Sequence, residues 1–388
     1  MARLGDVCTF FAGTGFPNQY QGHTSGEYPF FKVGDISRNV QIGQRTLEYC
    51  DNYINDEIVK IIRGTIIPQG TVVFAKIGEA LRLNRRAITI CKCLIDNNVM
   101  GLKPIDNVLT TEYFYYLMTA LDLQKYCEAT TVPSVRKSTL EKVEIVVPSI
   151  EEQNKIVNIL NKLNDLIYLR KQQLAKLDEL VKARFVEMFG DEKQFTYMPL
   201  SESVEEMFIG PFGSSLKNDC FVSKEDAFCM VYEQKHAIRK TMNVGTRYVC
   251  QKKYNELKRF TVMGGDIIVS CRGTIGEIYI LPDDAPLGIM HPSIMKIRLK
   301  ESVYNKNYFV FALEQSMKKH NDEANGSGVK MAVTATTLGK ERFAIPPMPS
   351  QQQFANFVVR TNRQKLTIQQ SLDKLEVLRK SLMQEYFR

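Results

Sequence analysis

From about Glu151 to Met188 the apolar residues recur at alternating steps of four and three: Ile156, Leu160, Leu163, Ile167, then Leu174, Leu177, Val181 and Met188, with Arg170 and Arg184 interrupting. That spacing holds them on one stripe of a helix. Roughly 38 residues run without Gly or Pro, and at about 1.5 Å per residue they predict a rod of about 55 Å. A second stripe follows near the C-terminus: Phe354, Val358, Thr361, Lys365, Ile368, Leu372, Leu375, Arg379, Leu382 and Tyr386. Ahead of each stripe the pattern changes to short β-branched and aromatic runs, such as Tyr28-Pro-Phe-Phe-Lys-Val, Thr71-Val-Val-Phe-Ala and Arg86-Ala-Ile-Thr-Ile-Cys, separated by Gly, Asn and Asp. These read as strands and turns. A shorter helix is predicted from about Thr111 to Lys125, with Phe114, Leu117, Met118 and Leu121 on one face, and another near Asn307 to Lys319.

The chain repeats itself. At a shift of 198 residues, Thr139, Leu140, Lys142, Pro148, Gln153, Leu174, Lys176, Leu177, Leu180, Lys182 and Phe189 fall on Thr337, Leu338, Lys340, Pro346, Gln351, Leu372, Lys374, Leu375, Leu378, Lys380 and Phe387. Upstream, a shift of 195 lays Gly70-Thr-Val-Val-Phe-Ala on Gly265-Asp-Ile-Ile-Val-Ser, and Tyr113-Phe114 on Tyr308-Phe309. The expected organisation is therefore a strand-rich domain over 1–148, a long helix over 149–190, a second domain over 191–346 and a second helix over 347–388. The fold class is α+β. Neither apolar stripe is complete alone, and the simplest cover for each helix is the other. They are expected to form an antiparallel coiled coil with an approximate two-fold axis, meeting through Ile156, Leu160, Leu163, Ile167, Leu174, Leu177, Val181, Phe354, Val358, Ile368, Leu372, Leu375 and Leu382. The alternative is that each helix folds back on its own domain.

Length supports at least two domains, and 44% apolar residues suffice for ordinary cores. No run of about 18 apolar residues occurs and no secretory leader is visible, so a cytoplasmic protein is expected. Nine cysteines, an odd count, lie singly except for Cys91 and Cys93, which suits a reducing compartment. A net charge of +8 is compatible with a polyanionic partner without demonstrating one.

A search for catalytic chemistry fails. Gly273-Thr-Ile-Gly276 lacks the lysine of a phosphate loop and reads as a turn between strands. The four histidines, His23, His236, His291 and His320, have no metal-ligand spacing, and Cys91-Lys-Cys93 has no second pair. There is no Gly-x-Ser-x-Gly elbow, no Asn/Asp-Pro-Pro-aromatic tetrapeptide of an adenine methyltransferase, and no convincing metal-binding triad of a restriction nuclease. No enzyme activity and no cofactor are expected of this chain.

The segments Tyr28-Pro-Phe-Phe-Lys-Val-Gly-Asp-Ile-Ser and Gly210-Pro-Phe-Gly-Ser-Ser-Leu, with Pro148-Ser-Ile-Glu-Glu-Gln-Asn-Lys-Ile and Pro346-Pro-Met-Pro-Ser-Gln-Gln-Gln-Phe before the long helices, resemble the specificity subunit of type I restriction-modification systems. The resemblance covers essentially the whole chain. It implies two target recognition domains, each reading half of a split, asymmetric sequence in double-stranded DNA, with the helix pair as spacer. Half-sites on one face of the duplex lie roughly 34 to 36 Å apart, within reach of the predicted rod. It further implies two DNA methyltransferase subunits as partners, with restriction and translocase subunits added to that core. Adenine methylation and its S-adenosylmethionine would belong to those partners.

For DNA contact the candidates are cations, amides and hydroxyls near predicted turns. In the first domain these are Arg82, Arg85 and Arg86 beyond the Gly78 turn, Lys32 after the first strand, and the hydroxyl-rich loop with Thr130, Thr131, Ser134, Arg136 and Lys137. In the second they are Gln234, Arg272, Ser327 and Lys330. Two other classes of function compete: an enzyme with its site across the duplicated interface, and a coiled-coil adaptor between proteins without nucleic acid. A steep salt dependence of duplex binding separates DNA reader from adaptor.

Overall fold

The structure is a computed structural model, and it describes every residue except 128–131, 191–193, 246, 273, 328–333 and 388, with the backbone alone for 319–327. The chain divides into two units, Met1–Leu174 with Thr367–Arg388, and Ala175–Leu366. The long helices Ile150–Phe189 and Met348–Tyr386 contribute residues to both units. The α+β organisation read from the sequence is present in each.

In the first unit a five-stranded sheet runs in the order Cys8–Ala12, Val99–Pro104, Val72–Ala75, Ala87–Thr89 and Thr46–Leu47. Neighbours are antiparallel except the last pair, which is parallel. A smaller sheet orders Tyr53–Ile54, Tyr28–Phe31 and Leu94–Ile95, with Tyr28–Phe31 parallel to Leu94–Ile95. Val72–Ala75 is buried throughout because both faces are covered. Val72 and Phe74 point to a core shared with helix Thr111–Ala120, and Val73 points to the opposite core with Ala87, Ile95 and Val99. A strand buried on both faces reads as an unbroken apolar run. The predicted helix to Lys125 is shorter than expected: it stops at Ala120 and a single 3₁₀ turn, Leu123–Tyr126, follows an Asp122 cap.

The second unit repeats the plan. Its main sheet orders Val204–Ile209, Ile294–Leu299, Ile267–Ser270 and Ile278–Ile280, all antiparallel. Its smaller sheet orders Tyr248–Val249, Cys229–Tyr232, Gly288–Met290 and Thr261–Val262, again with one parallel pair, here the central Cys229–Tyr232 and Gly288–Met290. Ile267 and Val269 face one core and Ile268 the other. The helix expected near Asn307 to Lys319 extends over Lys306–Ser327.

Two repeated residues show how deep the duplication goes. Gln153 is fully buried; its Oε1 accepts from the Thr110 amide at 2.8 Å and its Nε2 donates to the carbonyls of Val108 (2.9 Å) and Pro148 (3.0 Å). Gln351 does the same with the Asn305 amide (2.8 Å) and the carbonyls of Val303 (2.9 Å) and Pro346 (2.8 Å). Each amide fastens the start of a long helix to the loop before the domain's core helix. Phe387 then packs on Tyr113 with ring centroids 5.2 Å apart in the first unit, and Phe189 on Tyr308 at 4.8 Å in the second.

The two helices pair within each unit. In the first, Leu163, Ile167 and Leu372 form a buried cluster ringed by Leu174, Leu375 and Leu382. Lys171 meets Glu376 at 3.0 Å, while Ile156 and Phe387 share the domain core, so the segments run antiparallel. In the second, Val181 and Phe354 are buried together with Val358 against them, Phe185 meets Phe354 at 5.4 Å, and Lys365 bonds Asp178. Leu177 and Ile368 are half-buried. The alternative of helices folded on their domains is also partly realised: Leu160, expected in the seam, is buried with Val157 in the first domain's core. The stripe is wider than a coiled-coil seam because it serves two neighbours.

Candidate nucleic-acid interface

Parallel strands end on the same side of a sheet, and the crevice beyond such ends is where open α/β folds hold ligands. In the first unit, Tyr28–Phe31 and Leu94–Ile95 end together, and the Asp96 amide donates to the Phe31 carbonyl at 2.9 Å. Lys32 and Asp96 are thereby neighbours. The Lys76 amide, at the end of Val72–Ala75, donates to the Asn98 carbonyl at 2.9 Å. Ile77 then bridges Ser134, the Gly78 amide donates to the Pro133 carbonyl (2.9 Å), and the Val135 amide to the Lys76 carbonyl (2.9 Å). Gly78 has φ 74° and ψ −161°, a conformation open to glycine, and it turns the chain into the helical turn Glu79–Arg82. The loops carrying Lys32, Arg82, Ser134, Arg136 and Lys137 therefore border one set of strand ends.

The three arginines differ. Arg82 is exposed, 3.4 Å from Glu79, and Arg85 is half-buried. Arg86, expected to contact DNA, is corrected by the structure: it is 2% exposed, lies over the Phe74 ring at 4.8 Å, and donates to the Met118 carbonyl (3.2 Å), the Arg85 carbonyl (2.9 Å) and Asn84 Oδ1 (2.6 Å). Burial pulls its pKa down to about 9, which leaves it cationic at neutral pH but turned into the protein. Lys32 hydrogen-bonds Gln21 and sits 5.4 Å over the Phe16 ring, and Asp35 caps its backbone at 2.7 Å. Lys137 is exposed, 3.5 Å from Glu141. Thr130, Thr131 and Lys330 lie outside the described residues, as does the side chain of Ser327.

In the second unit, Cys229–Tyr232 and Gly288–Met290 end together and the His291 amide donates to the Tyr232 carbonyl at 2.8 Å. The Cys271 amide donates to the Ser293 carbonyl at 2.8 Å, which sets exposed Arg272 beside His291–Ser293. Gly276, at φ 88°, closes the turn between Ile267–Ser270 and Ile278–Ile280, as expected. The frame is the same as in the first unit, but the chemistry at the strand ends is different. Glu233 is 8% exposed, with Lys235 at 2.8 Å and Arg247 at 3.1 Å. Gln234 is half-buried, and its Oε1 is buried without a hydrogen-bond partner among the described residues. An unmet buried acceptor is costly to leave. His236 is fully buried, with Nδ1 3.0 Å from the Glu233 amide and 3.1 Å from the Glu233 carbonyl, and burial lowers its pKa, so the ring is neutral. His291 is also lowered, first by burial, and hydrogen-bonds Ser293 Oγ at 2.8 Å.

Sequence reading missed Lys76, Asp96, Glu233, Arg247 and His291. None stands in a basic cluster, and strands as short as Leu94–Ile95 leave no periodic trace from which their shared ends could be found. Among the described residues no group of His, Cys, Asp or Glu is placed to hold a metal ion, and no helix is long and apolar enough to cross a membrane.

Comparison with known proteins agrees with this duplicated frame. The sequence matches the family described as Type I restriction modification DNA specificity domain twice, over residues 1–179 and 202–377. A putative type I restriction enzyme MjaX specificity subunit of Methanocaldococcus jannaschii is 22% identical over 343 residues, covering 84% of this chain and 79% of that protein. The type I restriction enzyme MjaIX specificity subunit of the same organism is 26% identical over 199 residues, covering 50% and 44%. In fold, the chain resembles the type I restriction-modification S subunit of M. genitalium, with TM-score 0.54 at 13% identity, covering 100% of this chain and 95% of the other. It also resembles a chain from a type I R-M assembly, with TM-score 0.58 at 14% identity, covering 99% and 96%. The chain belongs to the type I restriction-modification specificity family and is its non-catalytic, DNA-recognising S subunit.

Proposed function

We propose that residues 1–148 and 191–346 are target recognition domains, each reading one half of a split, asymmetric site in double-stranded DNA. The helices of 149–190 and 347–388 set the spacing of the halves and dock two methyltransferase subunits, to which restriction and translocase subunits add. Supporting this reading is one observation: the same strand ends, tied by the same backbone hydrogen bonds, carry Lys32, Lys76 and Asp96 in one unit and Glu233, Gln234, Lys235 and His291 in the other. A frame kept while its side chains change suits two readers of different bases.

Base edges are read by forked donors and amides, whereas phosphates are held by cations irrespective of sequence. Gln234 and Arg272 suit base contact in the second domain; Lys32 and Arg85 take that part in the first. Arg82, Ser134, Arg136 and Lys137 suit phosphates, as do Thr130, Thr131, Ser327 and Lys330 from sequence. Methyl transfer to adenine and its S-adenosylmethionine stay with the partner subunits. The test is to map methylated adenines in cells with and without this chain. A gapped motif that vanishes on deletion is expected; an unchanged methylation pattern would contradict the reading.

A further inference from the structure

The two units differ at one edge of the main sheet. In the first, the short strand Thr46–Leu47 pairs in parallel with Ala87–Thr89, and the Ile88 amide donates to the Arg45 carbonyl at 2.8 Å. The Arg45 guanidinium then fills the groove between sheet and helices, bonding Glu112 (3.2 Å), the Tyr116 hydroxyl (2.9 Å) and Asn161. In the second unit the equivalent outer strand is Ile278–Ile280, and no described strand pairs with its far side. Registry fixes the equivalence: Ile88 lies opposite Val72, Ile280 lies opposite Ile267, and Val72 and Ile267 are related by the 195-residue shift.

Among the described residues no strand covers that edge, and a groove lies beside it. The amide of Leu281 and the carbonyl of Glu277 bond to Asp266 and Ser270 on the inner side. By alternation the amides and carbonyls of Ile278 and Ile280 point outward. A cavity of about 670 Å³ touches Ile278, Tyr279 and Ile280 in succession. Successive side chains lie on opposite faces of a strand, so a cavity touching all three runs along its edge. Its far wall carries Phe311 and Asn362, the counterparts of Tyr116 and Asn164 in the filled groove, and Glu314. Lys240 reaches Glu314 only at 3.8 Å, and burial lifts the Glu314 carboxyl above the ordinary carboxylate range. An exposed strand edge invites another strand.

We propose that this groove of the second unit binds an extended segment of a partner polypeptide, which adds as a parallel strand along Ile278–Ile280 and places a basic side chain in the groove. The occupant is read from the molecule itself, since the first unit fills the same position with its own Arg45-Thr-Leu. Strand addition gives affinity through the backbone and selectivity through the inward side chain. The proposal is independent of which bases the domains read.

The test uses the full chain and a fluorescein-labelled peptide Gly-Gln-Arg-Thr-Leu-Glu, copied from Gly43–Glu48. Fluorescence anisotropy is expected to show saturable binding below about 1 mM, weakened about tenfold when the peptide's Arg is replaced by Ala. Ile280→Pro, which removes the outward amide at an edge position that tolerates proline, is expected to abolish binding. If that variant fails to fold, judged by its unfolding transition, Glu314→Gln takes its place and is expected to weaken the Arg peptide but not the Ala peptide. Absence of saturation, binding indifferent to the peptide's Arg, or binding unchanged in the variants would each overturn the proposal.

Discussion

The two units share their joints and differ at their strand ends. Gln153 and Gln351 make the same three hydrogen bonds 198 residues apart, and Phe387 and Phe189 pack on Tyr113 and Tyr308. Beyond the parallel strands, by contrast, Lys32 and Asp96 stand in one unit where Glu233 and His291 stand in the other. A duplicated frame is constrained where helix and domain must fit and released where the outer loops meet something else. On the proposed reading, sites that position and sites that discriminate are separable within one chain.

The largest effect should come from the joints. Gln153→Ala and Gln351→Ala each remove three hydrogen bonds and strand a buried amide and carbonyls, at a cost of roughly 2–4 kcal/mol. Urea unfolding should show the two variants losing similar stability; a loss confined to one would break the equivalence of the units. Leu163→Ala, in the buried cluster with Ile167 and Leu372, should cost about as much, roughly 2–5 kcal/mol. That would show that helix pairing carries stability.

Smaller effects sharpen the contrast at the strand ends. Gln234→Ala should weaken DNA binding by about 1–3 kcal/mol and relax preference at one position, whereas Arg82→Ala should weaken all sequences alike and lower the salt slope by about 1. Competition binding with half-site variants distinguishes the two. The smallest effect concerns pH. His236 is neutral and buried in the folded chain with its pKa lowered, while the unfolded chain titrates near the ordinary histidine value. The unfolded state therefore binds more protons as pH falls, so the stability this group permits is intact above about pH 6.5 and declines below it. Thermal unfolding between about pH 7 and pH 5 should fall less steeply in His236→Phe than in the parent.

Much of the frame was legible because it repeats. The 198-residue shift already paired Gln153 with Gln351 and Phe189 with Phe387, and a four-three spacing over so many residues suits little besides a long helix. The site was less legible. Arg82, Arg85 and Arg86 look alike in sequence, yet Arg86 is turned inward by the Met118 carbonyl, 32 residues away on the helix Thr111–Ala120. Local charge cannot foresee such a partner. The strand Thr46–Leu47 was missed for a related reason: two residues have no period, and only the groove that Arg45 fills gives them a place. Leu160 followed the heptad but is buried in a domain core, because periodicity shows which face is apolar and not what covers it.

The most direct test of divided reading is to map methylated adenines in cells carrying the parent chain and the Gln234→Ala, Arg272→Ala double variant. The account predicts a gapped motif in which one half loses stringency while the other half and the gap length are unchanged. Relaxation of both halves together, or a motif untouched by the substitutions, would contradict it.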